Sequence, residues 1–156
     1  MSWDVINHYA YLHDLREQYP KAEPEQVELL NEMRIAAANY NKLTGRTSRM
    51  LGEIGELYCA IITGAKLHYN DTAQGSDARL GNDWIEVKTI TPAKNSNYVD
   101  VKCRGNFNKV YVVKVHADYS LSGRMFDRKE VTSGKPKGTK KLRIRWDTIG
   151  GDGQIR

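Results

Sequence analysis

The spacing of apolar residues changes once along this chain, near Gly64, and this change restricts the fold more than any other sequence feature. Before it, residues 3–18, 23–43 and 47–64 carry apolar residues at helical spacing with charges between them. After it, short segments rich in β-branched and aromatic residues alternate with Gly, Asn, Asp and Ser clusters, which is typical of strands. Helices followed by a run of strands predict an α+β fold, with the N-terminal helices packed on a central mixed sheet.

The segment "VYVVKV" is nearly all apolar, which favours a central strand. A length of 156 residues with 40% apolar content is enough for one core, so we expect a single domain over residues 1–156. Within it, residues 1–46 would form a helical part and residues 47–156 a core that ends in a basic segment.

The two cysteines are far apart and belong to no CxxC pair, which indicates a reduced, intracellular chain. No apolar run approaches the ~20 residues that cross a bilayer, and the N-terminus lacks a signal-peptide pattern. We therefore expect a cytoplasmic protein without a membrane partner.

Charge is distributed unevenly, although the net value is only +5. Residues 1–32 hold seven acidic and two basic side chains, whereas residues 124–145 hold nine basic and two acidic ones. Such a basic segment favours a polyanion, and we expect it to contact DNA phosphates. The candidate contacts are Lys94, Lys135, Lys137, Lys140, Lys141, Arg143 and Arg145.

Asp77, Glu86 and Lys88 are expected to share one face of a hairpin. Glu86 and Lys88 are two residues apart in "WIEVK", so a strand points both to the same side. A turn at residues 81–82 places Asp77 opposite Glu86, whereas a turn at residues 82–83 places it opposite Lys88. Both registers keep the three charges together.

Two carboxylates opposite each other lie about 5 Å apart and repel, so a positive charge should lie between them. Lys88 supplies part of that charge. Mg²⁺ suits the remainder, because it takes hard oxygen ligands and is usually held by one or two carboxylates together with phosphate oxygens.

Asp77, followed after eight residues by Glu86-Val87-Lys88, resembles the core motif of the PD-(D/E)xK nuclease superfamily, the restriction-endonuclease-like fold. The resemblance covers roughly residues 52–117 and departs from the motif at Ser76, where the family name has proline. It implies an α/β/α-like core and Mg²⁺-dependent cleavage of nucleic acid. Asp77 and Glu86 would hold the metal, and Lys88 would assist the attacking water.

The resemblance also implies a glutamate from the preceding helix, which carries Glu53 and Glu56. Helical geometry places Glu53 at the border of the apolar stripe and Glu56 outside it. Glu53 is therefore the preferred additional metal ligand and catalytic residue, with Glu56 as the alternative.

The expected function is that of a Mg²⁺-dependent endonuclease acting on duplex or branched DNA, in restriction, repair or junction resolution. Cutting both strands needs two sites, so we expect a homodimer whose interface lies on the acidic N-terminal helices. Two alternatives remain open: a non-catalytic nucleic-acid-binding or assembly module with the same fold, and an interaction protein in which the hairpin charges form ion pairs only.

Overall fold

Three N-terminal helices form where the apolar spacing predicts them, in a computed structural model that describes residues 1–69, 75–147 and 152–155. They are α1 (Trp3–Gln18), α2 (Pro24–Thr44) and α3 (Leu51–Thr63). Helix α2 begins with a capping box and a proline in its first turn, which satisfy or remove its free N–H groups.

The sequence pattern predicts that Gly45 and Gly64 end α2 and α3, and both residues do so in the left-handed conformation. The same pattern predicts an N-cap of α3 at Thr47 or Ser48. The helix instead begins at Leu51, and the Ser48 hydroxyl accepts a hydrogen bond from the amide of Met50 at 3.1 Å.

The strands follow the second half of the chain and form a mixed six-stranded sheet and a two-stranded sheet. The strands are β1 (Lys66–Leu67), β2 (Ala78–Leu80), β3 (Asp83–Ile90), β4 (Tyr98–Lys102), β5 (Lys109–Val115), β6 (Leu121–Asp127), β7 (Lys141–Arg145) and β8 (Asp152–Ile155). The order in the large sheet is β1-β2-β3-β5-β6-β8; β3 and β5 are parallel, and the other neighbours are antiparallel. The prediction that "VYVVKV" lies centrally is confirmed, because β5 pairs on both sides.

Each face of the large sheet has its own apolar core. On one face, Ile85, Val87 and Val113 pack against the helices through side chains such as Ile54 and Leu30. We call this the helix-side face. The fold class is therefore confirmed as α+β, with helices packed on a mixed sheet.

The opposite face, which we call the site-side face, is covered by the small sheet of β4 and β7. Val110 and Val112 of β5 pack there against Val101 and Ile144. The small sheet stands where the α/β/α-like expectation would put helices. The sequence analysis did not predict the pairing of β4 with β7, because strands about 40 residues apart leave no local signal of their pairing. It also did not predict β8 or the short helix α4 (Arg128–Thr132).

Across the described ranges, no helix is both long and apolar enough to span a membrane.

Candidate active site

The register of the β2–β3 hairpin decides between the two turns that the sequence left open. Ala78 pairs with Ile85 and Leu80 with Asp83, so the turn lies at residues 81–82. Gly81 has φ = +59°, a conformation that glycine adopts without strain. Strand β2 pairs with β3 as far as Ala78 and Ile85, and the Asp77 amide also donates a hydrogen bond to the Ile85 carbonyl at 2.8 Å. This bond is one residue out of the hairpin register, so Asp77 lies beside the Ala78–Ile85 pair and does not continue the pairing to Glu86 that this turn predicts.

Glu86 and Lys88 lie on the site-side face, as their spacing predicts. The Lys88 Nζ is 2.9 Å from Glu86 Oε1, and 18% of the Glu86 side chain and 36% of the Lys88 side chain are exposed. Burial raises the pKa of Glu86 above its ordinary value, the hydrogen bond from Lys88 lowers it in part, and the charge of Asp77 raises it further. The contact with Lys88 therefore does not offset the loss of hydration at Glu86 and the charge of Asp77.

The Asp77 carboxylate is held by the backbone of β3. Strand β2 pairs with β3 only as far as Ile85, so the Val87 N–H on that edge has no strand carbonyl opposite it. Asp77 Oδ2 accepts this hydrogen bond at 2.7 Å. The bond satisfies a buried donor and also fixes the carboxylate next to the residue that separates Glu86 from Lys88.

The structure favours Glu56 over Glu53 as the helix carboxylate, contrary to the preference from apolar spacing. Glu53 is exposed, whereas Glu56 is half-buried. Burial raises the pKa of the Cys59 thiol to about 12, and the charges of both Asp77 and Glu56 contribute to that rise. Glu56 and Asp77 therefore lie near the same buried side chain.

Small residues explain this difference from the helical-wheel estimate. The buried side of α3 includes Gly55 and Cys59, which were not counted in the apolar stripe that the sequence analysis assigned to this helix. A Cβ on Gly55 would collide with Thr89 of β3, so the absent side chain lets the helix lie directly on the strand. Nothing lies within 4 Å of a Cβ built on Gly52, so only Gly55 allows a close approach.

The donor set fits a magnesium ion only in part. Asp77 and Glu86 supply hard oxygen atoms, but the described residues contain no group of three or more His, Cys, Asp or Glu side chains able to hold a metal. A magnesium site that takes one or two carboxylates and completes its shell with water and phosphate oxygens agrees with this arrangement.

Most of the predicted nucleic-acid contacts lie on or next to the outer face of the β4–β7 sheet. Lys141, Arg143 and Arg145 alternate with the buried Leu142 and Ile144 and are exposed. Lys135, Lys137 and Lys140 are exposed in the segment before β7, and Lys94 is exposed in the segment before β4.

The outer face also carries residues that the sequence analysis did not assign. Asp100 Oδ1 accepts a hydrogen bond from Arg143 Nε at 3.1 Å, and this contact is the main reason why the pKa of Asp100 falls below its ordinary value. The Arg143 guanidinium carbon also lies 3.9 Å from the centroid of the Tyr98 ring. Charges of Lys141 and Lys94 lower the pKa of Asp100 further, which places both lysines near this face.

The sequence analysis also assigned no functional role to three side chains near the carboxylates, which are those of His68, Arg79 and Trp84. Arg79 is the cross-strand partner of Trp84, and its guanidinium carbon lies 4.9 Å from the centroid of the Trp84 ring. The His68 ring lies 5.3 Å from the same centroid. The strand parity of Arg79, which matches that of Asp77, was the signal available in the sequence.

No protein-family model matches this chain, and no curated protein matches it significantly.

Proposed function

We propose that this chain is a Mg²⁺-dependent endonuclease of the PD-(D/E)xK type that hydrolyses DNA phosphodiester bonds. One observation carries the proposal: Glu86 and Lys88 lie 2.9 Å apart on the site-side face, and the Asp77 carboxylate is fixed by the backbone of Val87, the residue between them. Burial raises the pKa of Glu86, and the charge of Asp77 raises it further, so the two carboxylates are close enough to interact. A divalent cation would offset their repulsion.

Asp77 and Glu86 are the proposed metal ligands, and Glu56 or Glu53 is a third candidate. Bound Mg²⁺ would polarise the scissile phosphate and lower the pKa of a bound water. The hydrogen bond from the Val87 N–H orients the Asp77 carboxylate, so one of its oxygen atoms is fixed before any ligand arrives. This preorganisation reduces the reorganisation required when the substrate binds.

Lys88 is the proposed partner of the attacking water. Its ammonium group lies against Glu86, on the face that would receive the phosphate. From that position it can donate a hydrogen bond to the water or to the negative charge that develops on the phosphate oxygens. The exposed 36% of its side chain leaves it accessible to substrate.

The outer face of the β4–β7 sheet is the surface proposed to contact the DNA backbone. Its exposed lysines and arginines can form phosphate contacts that carry little sequence information. Such contacts predict an affinity that falls steeply with salt.

Helices α1 and α2 are the proposed homodimer interface. Helix α1 buries only Leu15 among its residues, and large apolar side chains remain exposed on both helices. Exposed fractions reach 78% for Trp3, 63% for Tyr9, 57% for Ile35 and 84% for Leu43. Exposed apolar surface of this kind is typical of association sites.

A plasmid-nicking assay tests the nuclease proposal. Wild type, Lys88→Ala and the matched control Arg46→Ala, at an exposed position after α2, would be compared with Mg²⁺ and with EDTA across a salt series. We expect nicking that requires Mg²⁺, is lost in Lys88→Ala and is retained in Arg46→Ala. If no variant cuts supercoiled, linear, single-stranded or branched DNA, the nuclease proposal is wrong.

A non-catalytic nucleic-acid-binding module is the second candidate. It is favoured by the two-carboxylate donor set, since the part of the chain that the structure describes has no group of three metal-ligating side chains. Thermal unfolding separates the candidates: a metal site predicts that Mg²⁺ raises the Tm of wild type and not that of Asp77→Asn. Salt-dependent DNA binding without either effect would favour the binding module.

A further inference from the structure

Two cations face each other at the edge of the large sheet, next to the candidate active site. Lys66 of β1 is the direct cross-strand partner of Arg79 of β2. Like charges in this position repel and destabilise a hairpin. No carboxylate forms an ion pair with either side chain within residues 1–69 and 75–147, so the repulsion is not relieved by the protein there.

A pocket of about 410 Å³ lies at this edge and is lined by both cations together with His68. We call Lys66, His68 and Arg79 the edge cluster. Like charges on the wall of a concave surface concentrate the field, so the pocket attracts an anion.

The edge cluster is held in place by its neighbours. Arg79 Nε donates a hydrogen bond to the Gly81 carbonyl at 2.8 Å, while the guanidinium lies over the Trp84 ring. The His68 Nε2 lies 2.9 Å from the buried Ser76 hydroxyl, within hydrogen-bond distance. These contacts restrict two of the three side chains before any ligand binds, which lowers the entropy that binding must overcome.

The edge cluster is physically continuous with the carboxylates. The His68 amide donates a hydrogen bond to the Asp77 carbonyl at 3.0 Å. Arg79 is paired with Trp84, which precedes Glu86 by two residues on the same face of β3. Two residues of a strand span about 7 Å and neighbouring strands lie about 4.8 Å apart, so an anion between Arg79 and Lys66 would lie on the order of 10 Å from Glu86 across the sheet.

We propose that the edge cluster binds a phosphate of the substrate strand adjacent to the one that is cut, so that the strand runs from β3 across β2 to β1. This inference rests on the proposed nuclease function and adds a requirement on the substrate. The chain would need a nucleic-acid strand with a charged phosphate next to the scissile one.

The test uses Lys66→Gln/Arg79→Gln, which removes two charges, and Arg46→Gln/Arg49→Gln on exposed positions between α2 and α3 as the matched control. Binding of fluorescein-labelled duplex DNA in EDTA is measured across a salt series. Because a lost phosphate contact flattens the dependence of log affinity on log salt by about 1, we expect that change in the edge variant only. Equal slopes in the edge variant and the control would overturn the inference. Lys66→Gln alone is a second variant, because the Lys66 side chain forms no ion pair with another described residue, and we expect a flatter slope from it as well.

Cleavage of oligonucleotides with one uncharged methylphosphonate at each position near the cut provides the second arm. We expect one flanking position to slow wild type several-fold and to leave the edge variant, already slow, unaffected. An identical profile for both proteins would contradict the proposal. If wild type cuts nothing, the nuclease proposal fails, and the binding measurement in EDTA still decides whether the edge cluster holds a phosphate.

Discussion

Two acid–base pairs in this molecule have nearly the same geometry and opposite electrostatic character. Glu86 and Lys88 are 2.9 Å apart on β3, and Asp100 and Arg143 are 3.1 Å apart on the β4–β7 sheet. The pKa of Glu86 is raised because burial outweighs its lysine, whereas the pKa of Asp100 is lowered by its arginine at a fully exposed position.

The basic side chain beside a carboxylate therefore does not alone determine the direction in which the pKa of that carboxylate shifts. On the outer face, the exposed Asp100 accepts hydrogen bonds from the Arg143 guanidinium, and these stabilise its charged form. On the site-side face, partial burial removes hydration from Glu86, and Asp77 adds a second negative charge. A carboxylate whose charge its surroundings do not neutralise, such as Glu86, marks a candidate functional site. A carboxylate that its partner neutralises, such as Asp100, forms a structural ion pair.

The largest effect that would test this comparison is expected at Asp77. Asp77→Asn keeps an oxygen that can accept the hydrogen bond from the Val87 N–H and removes the charge. We expect cleavage to fall at least about 100-fold while stability stays close to that of wild type. Plasmid nicking and urea unfolding measure the two quantities.

Asp77→Ala is the companion change, because it leaves the Val87 N–H without its acceptor. We expect an additional loss of about 1–3 kcal/mol in the free energy of unfolding, the usual cost of an unsatisfied buried donor. Equal destabilisation by Asn and Ala would show that the charge, rather than the hydrogen bond, supports the fold.

The next effect is a pH-dependent gain in stability for Glu86→Gln. Since the folded state raises the pKa of Glu86 above its ordinary value of 4.5, the folded protein binds this proton more tightly than the unfolded chain does. The stabilising contribution is present below pH 4.5 and is lost as the pH rises through the raised pKa. Urea unfolding should show Glu86→Gln equal to wild type near pH 4 and more stable at pH 7; lower stability at pH 7 would contradict the raised pKa.

A smaller effect is expected from Arg143→Gln on the outer face. If Arg143 contacts a phosphate, the variant should show a slope of log affinity against log salt that is shallower by about 1. Cleavage at low salt should remain close to wild type, because Arg143 lies on the outer face of the small sheet and not on the face that packs against the large sheet. Arg46→Gln serves as the control for loss of charge alone.

The smallest effect is expected from Asp100→Asn. The lowered pKa means that Asp100 contributes stability above its ordinary value of 3.8 and loses it as the pH falls through the lower, folded value. Because the position is fully exposed, the change in Tm at pH 7 should be slight and should disappear in acid. A change as large as that of Glu86→Gln would remove the distinction between the two pairs.

Local features of the sequence were sufficient for most secondary structure and for the centre of the candidate site. Apolar spacing predicted α1, α2 and α3, and strand parity placed Glu86 and Lys88 on one face. The adjacency of Asp77 followed from a hairpin with a two-residue turn, which involves only neighbouring residues.

The choice between Glu53 and Glu56 did not follow from local features. A helical wheel weighs only apolar side chains, whereas Gly55 and Cys59 lie against the sheet because they are small. Which side of a helix approaches a strand most closely depends on the shape of that strand, here at Thr89.

The sequence by itself determined the helices, most of the strands, the hairpin register up to one alternative and the shared face of Glu86 and Lys88, because periodicity and short turns act over a few residues. Only the tertiary structure decided that β4 pairs with β7, that this small sheet covers the site-side face, and that Lys66 lies opposite Arg79 beside the carboxylates. Those contacts join distant segments, and their free energy comes from burial and pairing that exist only once the chain is folded.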